Sequence, residues 1–180
     1  MNTHTSFEKI DYLRNGNEKQ QRAYELLTKH KVLEKLRQFD PILVGTIPIN
    51  IDIESSDLDV ICYCENQAYF KKILTAEFGD QIGFRIWETV EQPTQDTFAY
   101  FIMDEFEVEI FGQNIHTKDQ IAYRHMIIED RLLNQRGEAF RKRIVDLKHK
   151  GYRTEPAFSM ELGLKQNHNR SLLELESEIN

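Results

Sequence analysis

Two aspartates stand two residues apart in Ser55-Ser56-Asp57-Leu58-Asp59-Val60, and the apolar residues that follow read as a strand. Side chains alternate between the faces of a strand, so Asp57 and Asp59 face together while Leu58 and Val60 face the other side. Two carboxylates held this close among apolar neighbours repel each other and have raised pKa values unless a cation sits between them. A hard divalent ion, Mg²⁺ or Mn²⁺, is the simple remedy, because it prefers carboxylate oxygens and keeps waters that substrate phosphates can replace. For Asp57 alone a turn cap is the plainer alternative, since Ser55-Ser56-Asp57 reads as a loop end. That alternative leaves Asp59 unexplained.

A metal site of this kind needs a third carboxylate from a neighbouring strand. The stretch FEVEIFG, residues 106–112, supplies two, Glu107 and Glu109, which again share a face. Glu109 is the better choice because it lies deeper in the run between Val108 and Ile110. Glu107 is nearer a hairpin, where a solvated side chain suffices.

The elements that must position these acids follow from periodicity. Phe7, Ile10 and Leu13 predict a first helix, and Ala23, Leu26, Leu27, Leu33 and Leu36 a longer one, stopped by Asp40-Pro41. Strands are predicted over 42–44, 57–63, 84–89, 97–103 and 106–111, with a helix over 66–78 after the second strand. Asp104-Glu105 is short enough for a hairpin. The rest reads as helical: Thr117 with Gln120 predicts a capping box, Ile121, His125, Ile128 and Leu132 share a face, and Gly137 separates a second helix carrying Phe140, Ile144 and Leu147. A short helix starts at Thr154-Glu155-Pro156, and Leu172, Leu175 and Ile179 mark the last.

The expected fold class is α+β (α/β), a small, mixed, largely antiparallel sheet flanked by helices, with a C-terminal helical extension. Residues 1–40 hold N-terminal helices, 41–115 the sheet core and 116–180 the helical part, together one compact domain.

The balance of 30 Asp and Glu against 23 Lys and Arg gives a formal net charge of −7, which does not favour nucleic acid as a partner. The opening MNTHTSFEKIDYLRNG carries charges where a signal peptide needs an apolar core, and no apolar run reaches about 18 residues. A cytoplasmic protein with no membrane partner is therefore expected. Cys62 and Cys64 point the same way along one strand and read as small apolar fillers rather than a disulfide. His125 reads as a core histidine, and Trp87 and Tyr100 as core or cleft lining.

The order Leu43-Val44-Gly45-Thr46, ten intervening residues, Asp57-Leu58-Asp59-Val60 and a later strand bearing an acid resembles the nucleotidyltransferase superfamily. That superfamily includes DNA polymerase beta, aminoglycoside nucleotidyltransferases and the minimal nucleotidyltransferases of toxin–antitoxin pairs. Through TKDQIAYRHMIIEDRLL and GYRTEPAF, most of the chain is similar to a bacterial family within it, domain of unknown function 4269. The resemblance implies a nucleoside triphosphate held by Gly45 and Thr46, metal ligands at Asp57 and Asp59, and Glu109 as the third acid, which helps deprotonate a hydroxyl acceptor. It implies in-line attack of that hydroxyl on the α-phosphate, with pyrophosphate leaving. Lys148, with Arg124 and Arg153, is a candidate for reaching phosphates from the helical part. Residues 47–52 depart from the family pattern: they are apolar, include Pro48 and read as strand-like, where relatives have a polar turn and a helix start whose amides hold phosphate. The departure motivates a second reading, a nucleotide- or partner-binding module without turnover. A metal-dependent phosphohydrolase using the same acids is a third.

Overall fold

Apolar residues alternating along neighbouring strands give the sheet two buried faces, and each face collects its own helices. In the computed structural model, which describes residues 6–91, 94–164 and 172–177, the strands are β1 (Ile42–Val44), β2 (Leu58–Tyr63), β3 (Ile82–Glu91), β4 (Thr94–Met103) and β5 (Phe106–Gln113). They form one five-stranded sheet in the order β1-β2-β5-β4-β3. Only β2 and β5 are parallel; the other neighbours are antiparallel. The fold is α+β, as the order of elements predicts.

On one face Leu58, Val60 and Cys62 of β2, Ala99 and Phe101 of β4 and Val108 and Ile110 of β5 pack against α1 (Glu18–Lys29) and α3 (Gln67–Phe78). Phe70, Leu74 and Phe78 of α3 and Leu26 and Leu27 of α1 fill that layer. On the other face Ile42, Val44 and Ile61 pack against α4 (Ile121–His149) and α5 (Thr154–Glu161), through residues such as Met126, Phe140, Ile144 and Phe158. Asp59 and Glu109 share this second face. Neither Cys62 nor Cys64 forms a disulfide, and both are buried, as fillers should be. No helix among the described residues is long and apolar enough to cross a membrane.

Several predicted elements differ in detail. The helix expected around Ile10 is a 3-10 turn, Asp11–Asn15. The long helix that follows ends at Lys29 and resumes as α2 (Val32–Lys35), because Lys31 takes φ 55° and breaks the amide ladder. β2 begins at Leu58, which leaves Asp57 at the loop's last position. The capping box at Thr117 is not formed: Thr117 Oγ1 donates to Asp40 at 2.6 Å, and the Gln120 amide donates to the carbonyls of Cys62 and Ile115 at 3.0 and 2.9 Å. Gly137 breaks α4 without ending it, with φ 77° and ψ −174° inside a helix that continues to His149. Leu172–Ser177 is a 3-10 turn, and Ile179 lies outside the described residues.

Candidate functional site

Strand register brings the acids together. Asp59 pairs with Val44 of β1 on one side and with Glu109 of β5 on the other, and Glu109 in turn pairs with Tyr100 of β4. Paired strands lie about 4.8 Å apart, so Asp59 and Glu109 leave the backbone one strand spacing from each other on one face. Burial, then Asp57, then Glu109 push the Asp59 carboxyl up to about 7, against a lowering by Lys148. Burial and Asp57 raise Glu109 as well. Three carboxylates therefore feel one another at the C-terminal side of β1. Glu107 is exposed and accepts a hydrogen bond from the Tyr100 side chain, whereas Glu109 is half-buried and lines the cleft with Asp59.

Gly45 follows β1 directly and turns at φ +84°, where a Cβ would stand 2.4 Å from Asp59 Oδ2. Only glycine lets the backbone pass so close to that carboxylate. Thr46 Oγ1 donates to Ser56 Oγ at 3.1 Å. The next residues are turns rather than the strand their alternation predicts: Asn50 N–H donates to the Ile47 carbonyl, Ile51 N–H to that of Thr46, and Asn50 takes φ 57°. Ile47, Ile49 and Ile51 are all buried.

The carbonyls of this loop are taken by side chains from far along the chain. Gln20 Nε2 donates to Ile47 O at 2.7 Å and to Pro48 O at 3.2 Å. Arg141 Nη1 donates to Asn50 O at 3.1 Å and also to Ile49 O. Lys19 Nζ donates to Ile53 O at 2.7 Å and Glu54 O at 2.8 Å. Lys148, buried, donates to Ile51 O at 2.7 Å. Burial lowers the Lys148 ammonium to about 8, with Asp52, Glu129 and Asp57 working the other way. Lys148 thus stands behind the loop and outside the cleft wall, with its charge felt by the acids.

The cleft itself has a volume of about 840 Å³ and runs from Gly45, Thr46, Asp59 and Glu109 past Phe98 and Phe111 to α4 and α5. At that far end His125 Nδ1 donates to Glu155 Oε1 at 2.6 Å, and His125 Nε2 is buried with no hydrogen-bond partner. Glu129, one helical turn on from His125, also faces the cleft. Sequence reasoning placed His125 in the core and overlooked Glu129 and Glu155. A usable clue was present, since Glu129 interrupts the apolar run Met126-Ile127-Ile128 on the packed side of its helix.

The three acids fit a hard divalent cation in chemistry, and strand register places Asp59 beside Glu109, with Asp57 one residue before β2. Among the described residues, no group of three or more His, Cys, Asp or Glu side chains is gathered closely enough to grip one without further movement.

Over residues 25–175 the sequence matches a family described as a domain of unknown function, DUF4269. The chain belongs to that family. No curated protein matches this DUF4269 chain. Among solved structures it is similar to Cid1, described for its RNA terminal uridylyl transferase activity, with 12% identity and a TM-score of 0.51 over 73% of this chain and 40% of that one. It is also similar to a chain of the GLD-2/RNP-8 complex, with 14% identity and a TM-score of 0.56 over 87% of this chain and 63% of that one. This DUF4269 chain therefore spans less than two thirds of the length of either. The likeness shows a nucleotidyltransferase-like fold.

Proposed function

We propose that the protein is a metal-dependent nucleotidyltransferase that moves a nucleoside monophosphate from a nucleoside triphosphate to a hydroxyl acceptor. The observation that carries this reading is the pairing of Asp59 with Glu109 across the parallel strands β2 and β5, with the Gly45 turn lying over Asp59. Asp57, Asp59 and Glu109 are the residues to hold Mg²⁺ or Mn²⁺, which when bound offsets charge on the triphosphate and the departing pyrophosphate. Strand register sets Asp59 beside Glu109. Gly45 and Thr46 present the backbone to the phosphates, and Lys148 holds that loop through the Ile51 carbonyl while adding a positive charge behind it. Glu109 accepts the proton of the acceptor hydroxyl. The hydroxyl oxygen then bonds to the α-phosphorus as the bond to the pyrophosphate oxygen breaks.

A binding module without turnover is the second reading. It is favoured by one observation: the loop buries Ile47, Ile49 and Ile51, where a phosphate loop usually exposes amides. Incubating the protein with each labelled nucleoside triphosphate, Mg²⁺ or Mn²⁺ and a cell extract separates the two. Label on an acceptor that is lost with Asp59→Ala supports transfer. Metal-dependent nucleotide binding by calorimetry with no product in any extract favours the module. Absence of nucleotide binding in either metal overturns both.

A further inference from the structure

Beyond the acids the cleft turns apolar. Ile61, Phe98, Phe111, Ile115, Ile121 and Met126 line it, and among the described residues no lysine or arginine does. Further phosphates would need basic side chains there, whereas an uncharged, flat ring needs only apolar walls and a few placed polar groups.

Strand register fixes how far such a ring lies from the acids. Asp59 pairs with Glu109, and two residues further along Ile61 pairs with Phe111. Phe111 pairs in turn with Phe98 of β4, and Phe98 with Trp87 of β3. Two residues along a strand span about 7 Å, the reach of one pentose between a phosphate and its base. The rings of Phe98 and Phe111 lie 4.8 Å apart between centroids and both border the cleft that holds Asp59 and Glu109. A nucleotide with its phosphates at Gly45 and the acids thus brings its base to Phe98 and Phe111, opposite the first turns of α4.

One polar atom in this wall has no partner. His125 Nδ1 donates to Glu155 Oε1 at 2.6 Å, which orients the ring, and His125 Nε2 is buried without a hydrogen bond. A buried nitrogen left alone costs less as the lone pair of a neutral imidazole than as the N–H of a cation, so Nε2 is an acceptor that gains when a donor arrives. Asp96, two residues before Phe98 and on its face, adds a carboxyl to the same cleft. Glu129, raised to about 8, carries a proton at neutral pH, can donate or accept, and so sets no preference of its own. At the tip of the ring farthest from the sugar, adenine and cytosine carry an amino group, which donates. Guanine, hypoxanthine and uracil carry a carbonyl there, which only accepts and finds no match in His125 Nε2.

We propose that Phe98 and Phe111 hold the base of the nucleotide and that His125, oriented by Glu155, selects adenine and cytosine through their exocyclic amine. The placement rests on the nucleotide site of the reading above; the selection needs binding alone and no turnover.

The matched probes are ATP with ITP and CTP with UTP, each pair exchanging the amine for a carbonyl. Calorimetry on the full chain with Mg²⁺ at neutral pH is expected to show the amino member of each pair binding about tenfold more tightly. His125→Phe keeps a ring and removes the acceptor, and should bring each pair within about twofold. Phe98→Ala should weaken all four by about tenfold and leave the preference in place. Trp87, the chain's only tryptophan, stacks on Phe98 with centroids 5.3 Å apart, so its emission should change as ATP saturates the parent but not Phe98→Ala. Equal affinity within the pairs, or tighter binding of the carbonyl members, overturns the proposal without any variant. A preference that persists in His125→Phe, or parent-like binding by Phe98→Ala, overturns it too. Glu155 has an exposed side chain, so if His125→Phe fails to fold, Glu155→Ala frees the imidazole and should cut the preference below about threefold. An amino preference in binding, with no transfer in any extract, leaves the base site standing and ends the transferase reading. Transfer that uses the four nucleotides equally does the reverse, and absence of nucleotide binding overturns both.

Discussion

Gly45 couples the backbone of the site to its carboxylates. A methyl group there would sit 2.4 Å from Asp59 Oδ2 at a φ of +84° that L residues rarely adopt. Gly45→Ala must therefore strain the turn, displace Asp59, or both. Expected outcomes are a loss of about 1–3 kcal/mol in urea denaturation and loss of metal-dependent nucleotide binding by calorimetry. Stability and binding unchanged from the parent would refute the close approach. At this scale the alternation that sets Asp59 apart from Leu58 and Val60, and Glu109 apart from Val108 and Ile110, was legible in the sequence, because two-residue periodicity on a strand needs no tertiary knowledge to say which side chains share a face, whereas Asp57 precedes β2 and falls outside it. Glu155 and the cleft-facing role of His125 were not. Their helices pack by contacts with strands far away in sequence, and a helical wheel marks the packed side without showing that a cavity opens within it.

At the scale of elements, the break in α4 sets where its second half lies. Gly137 combines φ 77° with ψ −174°, a conformation essentially confined to glycine, and a Cβ there would meet nothing within 4 Å. Gly137→Ala therefore acts through backbone strain rather than collision. It is expected to cost about 1–3 kcal/mol in urea denaturation, and a parent-like midpoint would show that the break can be straightened freely. The second half of α4 carries Arg141, Ile144 and Lys148, so this strain reaches the loop they support. Strand number, approximate limits and the α3 helix were all readable. The loop over 47–52 was not, because alternating Ile47, Ile49 and Ile51 read as a strand. Its backbone closes into turns because Gln20, Arg141 and Lys148 take carbonyls that a partner strand would otherwise bond. Lys31 left no trace in the sequence either, since lysine at positive φ has no compositional mark.

Over the whole molecule, buried acids make stability depend on pH. Burial first, and then Glu155, raise Glu129 from 4.5 to about 8, against Lys148. The folded chain then keeps a proton that the unfolded chain releases, so this contribution is full below 4.5 and is lost as pH rises through about 8. Lys148, lowered from 10.5 to about 8, contributes above 10.5 and loses that as pH falls through 8, a higher window. Asp59, raised from 3.8 to about 7, acts in the same sense as Glu129. The Tm should therefore fall between about pH 5.5 and about pH 8, and fall less in Glu129→Gln, with Asp59 leaving a residual slope. Identical slopes in parent and variant would count against a buried, proton-holding Glu129. The loop between β1 and β2 has a further consequence, in time. Its carbonyls at Asn50 and Ile51 bond side chains 91 and 97 residues later in the chain. On a translating ribosome the loop emerges long before Arg141 and Lys148, and at about 5–20 residues per second the gap is several seconds. Asp57 and Asp59 are thus made early, and the turn that completes the site sets only after the second half of α4 has left the exit tunnel, so a chain stalled before that point should display the aspartates without a finished site.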